Sequence, residues 1–177
     1  EPKRGQSREF SQVGMELMGL PAPEGDAEAI KLLAAVLEAA GLDDFTITVG
    51  DARLFIEQLD AAAGSQLSDA ERDAILYELQ TGDMVGLRRE LNACDKFGDA
   101  EAERLLVLAR SRGGRDVLDE FGAARLAALD DLLTAENVTG RVIYDLGLVR
   151  SLRYYTGTVF KVYVPTDGFS IGGGGRY

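Results

Sequence analysis

The sequence predicts an α+β fold in which helices flank an antiparallel sheet. Strand-like alternation of apolar and polar residues occurs near both ends of the chain, whereas helical periodicity fills the stretch 53–135. Strands and helices that are segregated along a chain are typical of α+β domains. The length of 177 residues suits one domain, because about 100 to 200 residues is the ordinary unit. We therefore interpret 1–177 as a single core with a helical insert at 53–135, and we expect it to lack both ends of a longer protein.

The N-terminal part of the chain predicts a strand, a helix and a second strand. Apolar and polar residues alternate from Arg8 to Gly19, which indicates a half-buried strand with one polar face. After a loop with two prolines, Asp26 is a suitable N-cap for a helix that ends at Gly41. The β-branched and aromatic run 45–49 then alternates as the second strand.

The helical middle contains one local signal that is especially specific. Ser68 and Glu71 have the spacing of a capping box, in which each side chain satisfies the free backbone N–H of the other residue. Several glycines separate the segments with helical periodicity, including Gly82 and Gly98. This pattern predicts a series of short helices between the two groups of strands.

The C-terminal part returns to strand-like patterns. The segments 142–144 and 158–164 are rich in β-branched and aromatic residues. Residues 165–168 read Pro-Thr-Asp-Gly, which is typical of a turn, and 169–171 can return as a partner strand. The sequence therefore predicts a hairpin at this end of the sheet.

Composition limits the classes of function. The chain has 46% hydrophobic and 28% charged residues, and it lacks the run of about 18 to 20 apolar residues that spans a membrane. With no signal peptide pattern and a single cysteine, Cys94, we expect a reducing, cytoplasmic location. The absence of histidine argues against a Cys/His metal cluster or a histidine-based triad.

The charge of the chain is unevenly distributed. The net charge is −11 overall, and residues 17–140 alone carry 11 basic and 25 acidic side chains. Such a surface opposes binding to nucleic acid, because affinity for phosphates comes largely from cations. An acidic surface that simply keeps the protein soluble explains the same numbers equally well.

Three stretches, in order along the chain, resemble one known family. Residues 8–16 read Arg-Glu-Phe-Ser-Gln-Val-Gly-Met-Glu, residues 148–155 read Leu-Val-Arg-Ser-Leu-Arg-Tyr-Tyr, and residues 172–177 read Gly-Gly-Gly-Gly-Arg-Tyr. They are similar to the second half of motif 2, the histidine-binding signature and the glycine-rich hairpin of the histidyl-tRNA synthetase family. The resemblance implies the antiparallel sheet of a class II aminoacyl-tRNA synthetase catalytic core.

The resemblance also implies a histidine-binding site, whose residues are Gln12, Glu16, Arg150, Tyr154 and Tyr155. Gln12 and Glu16 would share one strand face and receive the polar N–H groups of the ligand. Arg150 carries a planar cation that can hold a carboxylate or a phosphate. Tyr155 is the preferred ring wall, since adjacent strand residues face opposite ways. An exposed polar sheet face and a surface salt bridge are the alternatives for these residues.

Departures from the synthetase pattern suggest which branch of the family the chain is similar to. Ser151 and Arg153 replace a glycine and an acid of the signature, and Asp145-Leu146-Gly147 precedes it. These features look more like the regulatory subunit of ATP phosphoribosyltransferase, which has no aminoacylation activity. The resemblance then implies that histidine is the ligand, that no cofactor is covalently bound, and that the chain acts in the first step of histidine biosynthesis and its feedback control.

The expected partners follow from the same resemblance. They are the short-form ATP phosphoribosyltransferase catalytic subunit and further copies of the chain, in a homodimer or a higher hetero-oligomer, without a membrane or nucleic acid. The alternative is a histidyl-tRNA ligase, which would use ATP and Mg²⁺, form histidyl-adenylate and charge tRNA. In that case Arg150 would be catalytic.

Overall fold

A five-stranded sheet forms the centre of the protein. The computed structural model describes residues 9–149, 154–165 and 170–177. Its strands are β1 (Thr46–Asp51), β2 (Arg112–Gly113), β3 (Val142–Asp145), β4 (Thr158–Tyr163) and β5 (Ser170–Gly175). They lie in the order β2-β3-β1-β4-β5. The strands predicted at 45–49, 142–144 and 158–164, and the hairpin of the last two strands, are present, although the turn at 166–169 lies outside the described residues.

The sheet is mixed, which differs from the antiparallel sheet that the sequence predicts. The pairs β1–β4, β4–β5 and β2–β3 are antiparallel, but β1 and β3 run parallel. A parallel pair needs a long crossover, and the helical segment between Asp51 and Val142 provides one. The fold class itself, α+β, is confirmed.

Among the described residues, one α-helix precedes β1, and six α-helices lie in the connection between β1 and β3. They are α1 (Glu24–Ala39), α2 (Leu54–Ala62), α3 (Asp69–Thr81), α4 (Met84–Ala93), α5 (Asp99–Arg110), α6 (Arg115–Glu120) and α7 (Ala124–Ala135). None of the helices in the described part of the chain combines the length and the apolar character that a membrane span requires. The division of the chain into a core and an insert at 53–135 stays a prediction.

A continuous apolar core joins the helices to one face of the sheet. Ile47 and Val49 of β1, Ile30 of α1 and Leu129 of α7 are completely buried in it. Beside them the hydroxyl of buried Tyr144 donates a hydrogen bond of 3.0 Å to Asp130. Each fully buried aliphatic side chain stabilises the fold by about 1.5–3 kcal/mol, so this core fixes the positions of the strand ends.

The strand predicted from Arg8 to Gly19 is wrong for the residues that the structure describes. Residues 9–19 form no strand, and the side chains of Phe10 and Val13 are 76% and 92% exposed. Alternation of apolar and polar residues defines two faces, but a strand also needs a neighbour to bond with its backbone. The described sheet does not pair with this segment. Gln12 and Glu16 therefore do not share a strand face.

The first helix begins earlier than the sequence predicts. Its N-cap residue is Pro23 rather than Asp26, and Asp26 lies inside the first turn with its carboxylate buried. The reason is that Asp26 has a stronger partner than a free backbone N–H, namely the guanidinium of Arg176 at 2.7 Å. The predicted end is correct: Gly41 has a φ of 85°, which favours glycine after a helix.

The predicted capping box is present at the start of α3. Ser68 Oγ accepts a hydrogen bond from the Glu71 N–H, and the Glu71 carboxylate accepts one from the Ser68 N–H at 2.7 Å. Lys96 also donates to Glu71 at 2.7 Å. The Lys96 ammonium, followed by Ser68, lowers the pKa of Glu71 from 4.5 to about 2.

We expect the Glu71→Gln substitution to destabilise the protein in a pH-dependent way. The lowered pKa means that the folded state binds this proton less readily than the unfolded state. The stabilisation by Glu71 is therefore complete above its ordinary pKa of 4.5 and is lost as the pH falls towards about 2. Urea unfolding across this range should show the wild-type and Gln curves converging at low pH. Glu103→Gln, in the exposed pair with Arg88, is the control, and an equal pH dependence in both variants would contradict the prediction.

Candidate functional site

Three tyrosine rings form a cluster at the end of the β4–β5 hairpin. The ring centroids of Tyr154 and Tyr177 are 5.0 Å apart with an interplanar angle of 22°, so these two rings stack. Tyr154 meets Tyr155 edge to face, also at 5.0 Å. Tyr154 is 52% exposed, and aromatic faces of this kind can receive a planar or cationic ligand.

Glu16 adds a carboxylate to this cluster. The Tyr177 hydroxyl donates a hydrogen bond to Glu16, and partial desolvation together with the Glu16 charge raises the pKa of Tyr177. The segment that carries Glu16 is otherwise exposed. A carboxylate beside stacked rings can accept hydrogen bonds from a cation or from an imidazole N–H.

The structure brings together three of the five residues predicted for the site, namely Glu16, Tyr154 and Tyr155. Gln12 lies exposed in the segment before Glu16, and none of the contacts of the described residues joins it to the rings. Arg150 lies outside the described residues. The assignment of all five to a histidine site stays a prediction.

The two neighbouring tyrosines differ in exposure, and the preference for Tyr155 as the ring wall of the site stays a prediction. Tyr155 is partly buried and packs against the small apolar cluster of Ala52, Leu148 and Val159, whereas Tyr154 faces solvent. Tyr155 therefore fixes the loop to the sheet, and Tyr154 offers the open ring.

The glycine-rich end of β5 allows the inward packing of Tyr155. A Cβ atom on Gly175 would lie 2.7 Å from Cδ1 of Tyr155 and 2.7 Å from the Thr158 carbonyl oxygen. Both distances are far below van der Waals contact, so a side chain at this position would displace the ring. Taken alone these glycines are weak evidence for a site, because glycine also occurs in twisted strands; in the sequence they count as one of three ordered matches to the family.

Two buried carboxylates, Asp26 and Asp51, are linked to Thr158 at the start of β4, and sequence reasoning missed the partners of both. Asp26 accepts hydrogen bonds from the Thr158 hydroxyl at 2.8 Å and from Arg176 at 2.7 Å. Asp51, only 3% exposed, accepts from Arg125 Nε at 2.5 Å and from the Arg53 N–H at 2.9 Å. One signal was available: Asp51 continues the alternation of the buried residues of β1, and a buried carboxylate requires a partner.

Other polar clusters are less suited to a ligand. Glu71, Cys94 and Asp95 place potential metal-ligating atoms within 4.8 Å of one another. However, the Lys96 ammonium already pairs with Glu71 at 2.7 Å, and a divalent cation would have to displace it. A hollow of about 230 Å³ between α2, α5 and α6 is lined partly by Leu105 and Leu108 and contains none of the predicted site residues.

The mixed sheet with its signature loop and glycine-rich hairpin defines a synthetase-like catalytic core. The sequence model for histidyl-tRNA synthetase matches residues 1–177, and the chain belongs to this family. It is similar to the ATP phosphoribosyltransferase regulatory subunit of Desulforamulus reducens, with 38% identity over 100% of this chain and 46% of the relative. It is also similar to the histidine–tRNA ligase of Thermococcus kodakarensis, with 37% identity over 100% of this chain and 43% of the relative.

Solved structures agree with this placement. A crystal structure from Bacillus halodurans, described as an ATP phosphoribosyltransferase regulatory subunit/histidyl-tRNA synthetase, superimposes with a TM-score of 0.77 and 28% identity. The match covers 86% of this chain and 42% of that one. The chain thus spans less than half the length of each of these three relatives.

We expect Gly175→Ala to disturb the tyrosine cluster. The new methyl group would push Tyr155 away from Val159, at a cost of about 1–3 kcal/mol for overpacking. Near-ultraviolet circular dichroism should show a changed tyrosine signal, and urea unfolding should show the loss of stability. Gly140→Ala is the matched control, because nothing lies within 4 Å of a Cβ atom at that position. Identical spectra for the wild type and Gly175→Ala would refute this packing role.

Proposed function

We propose that the chain is the synthetase-like core of a regulatory subunit of ATP phosphoribosyltransferase. In this role it supports the first step of histidine biosynthesis, senses histidine and does not aminoacylate tRNA. The observation that carries the proposal is its 38% identity, along its whole length, to a relative of that name. Because fold alone does not define function, the choice between the two roles depends on the residues of the signature and of the tyrosine cluster.

The signature region supports a sensor rather than a ligase. Arg153 stands where the resemblance leads us to expect an acid, which changes the local charge by two units next to the tyrosines. Both carboxylate oxygens of the preceding Asp145 accept hydrogen bonds within the protein, one from Arg112 at 2.7 Å and one from the Gly147 N–H at 3.0 Å. Asp145 thus orders the turn before the signature and is occupied by protein partners.

The chemistry of the tyrosine cluster fits histidine as the ligand. The Glu16 carboxylate can accept a hydrogen bond from an imidazole N–H or an ammonium group. The exposed face of Tyr154 can stack on the imidazole ring. Arg150 would hold the carboxylate of the amino acid, as the resemblance implies.

The acidic helices favour a protein partner over a nucleic acid. Residues 17–140 carry a net charge of −14, which repels phosphates. We propose that the partner is the short-form catalytic subunit of ATP phosphoribosyltransferase, in a cytoplasmic complex that contains several copies of the chain. Feedback by histidine then requires two states of this complex that bind histidine with unequal affinity.

A histidyl-tRNA ligase is the second candidate. The 37% identity to an archaeal histidine–tRNA ligase favours it, because this value is almost the same as that of the regulatory relative. As a ligase, the protein would bind ATP and Mg²⁺ beside histidine, and Arg150 would act in adenylate formation.

Pyrophosphate exchange with the full-length protein distinguishes the two candidates. We expect that histidine binds, as measured by calorimetry, but that ATP–pyrophosphate exchange stays at background. A regulatory subunit should also raise the turnover of the short-form catalytic subunit and make that turnover sensitive to histidine. Exchange at synthetase rates would establish the ligase instead, and the absence of both histidine binding and stimulation would reject the proposed role.

Substitutions in the site test the assignment of residues. Glu16→Gln and Arg150→Ala should each weaken histidine binding by about 1.5–3 kcal/mol, because each removes one charge-assisted hydrogen bond. Arg72→Ala on α3, which breaks the surface pair with Asp60 of α2, is the control and should leave the affinity unchanged. Unchanged affinity in both site variants would place the histidine site elsewhere.

A further inference from the structure

The loop Tyr154–Gly157, here called the tyrosine loop, is held at two points by residues that are not among those predicted for the histidine site. We propose that the pairs Asp26–Arg176 and Asp51–Arg125, in each of which the carboxylate is buried, are positioning pairs, which keep this loop in the geometry that receives histidine. The inference rests on the proposed function for the identity of the ligand. Its structural part, the control of the loop by the two pairs, can be tested without any ligand.

The first pair acts through the backbone of Arg176. The Thr156 N–H donates to the Arg176 carbonyl oxygen at 2.7 Å, and the Arg176 N–H donates to the Thr158 carbonyl oxygen at 2.7 Å. The Arg176 guanidinium donates to Asp26 on α1 and to the Leu20 carbonyl oxygen at 3.3 Å. The Arg176 backbone therefore fixes the loop, while its side chain fixes that backbone to the first helix.

The second pair acts through Ala52, on the other side of the loop. The Ala52 N–H donates to the Gly157 carbonyl oxygen at 2.9 Å, and Ala52 also packs against Tyr155. The preceding residue, Asp51, is held by Arg125 at the start of α7. The same arginine donates to Glu57 on α2 at 2.8 Å. A shift of these helices would thus move Ala52 and, with it, the Gly157 end of the loop.

The two pairs meet at the first residue of β4. Thr158 lies opposite Asp51 in the sheet register, and its hydroxyl donates to Asp26 at 2.8 Å. A buried carboxylate that loses its cation is left with an uncompensated charge, so the surrounding structure rearranges rather than leave it unpaired. Asp26 bonds to the Thr158 hydroxyl, and Asp51 lies opposite Thr158 in the sheet. A displacement of either carboxylate should therefore move Thr158, the residue that directly follows the tyrosine loop.

Lysine substitutions separate positioning from simple stabilisation. Arg176→Lys and Arg125→Lys keep the positive charge but lose the planar fork that fixes the direction of the hydrogen bonds. We expect folded variants whose histidine dissociation constant rises about tenfold and whose near-ultraviolet tyrosine signal changes. Arg72→Lys, in the forked surface pair with Asp60, is the matched control and should change neither quantity. Thr158→Val removes only the hydroxyl link to Asp26 and serves as the test if a lysine variant fails to fold. It should also raise the histidine dissociation constant and change the tyrosine signal.

The outcomes separate this inference from the proposed function. If the wild-type full-length protein does not bind histidine, the proposed function fails, while the tyrosine spectra still decide whether the pairs position the loop. If histidine binds and the folded variants retain both wild-type affinity and wild-type spectra, the positioning role is overturned and the proposed function stands. A lowered melting temperature with unchanged affinity and spectra would likewise show that the pairs serve stability alone.

Discussion

The ion pair between the buried carboxylate of Asp26 and the guanidinium of Arg176 is the interaction that ties the surroundings of the tyrosine loop to the first helix. It joins the first turn of α1 to the residue that directly follows the last strand of the sheet. The aliphatic core fixes where the strands lie, but apolar contacts are not directional. Hydrogen bonds to a buried carboxylate are directional, so they set the orientation of the loop that carries the rings.

A fold of this kind can serve either as a sensor or as a synthetase, because one fold can host different functions. Binding an amino acid is common to both roles, and only the synthetase also activates it. We expect the two roles to differ in the charge around the predicted histidine site. The chain keeps an acid and aromatic rings that suit histidine, but it carries a cation at position 153 and a strongly acidic helical segment. Arg125 joins α7 to the end of β1 by its hydrogen bond to Asp51, so the acidic helical segment contacts the sheet directly before Ala52, which bonds to the tyrosine loop.

Local patterns were predictable from the sequence, and long-range partnerships were not. The Ser68–Glu71 capping box and strands β1 and β4 follow from spacing alone. Asp26 has the properties of a helix cap, and only the folded chain shows that its partner is Arg176. Tyr177 ends the stretch that resembles the family's glycine-rich hairpin, but that pattern did not predict that its ring stacks on Tyr154. The predicted strand before Gly19 failed for a related reason, since alternation specifies a face without specifying a neighbour.

The distance along the chain between Asp26 and Arg176 has a consequence for synthesis on the ribosome. These partners are 150 positions apart, and translation proceeds from the N-terminus at a finite rate. The first helix therefore emerges with an unpaired acid in its opening turn, long before the arginine exists. During this interval the apolar face of α1 can already pack against the core, but the bond that links the helix to the tyrosine loop forms only after residue 176 has been added.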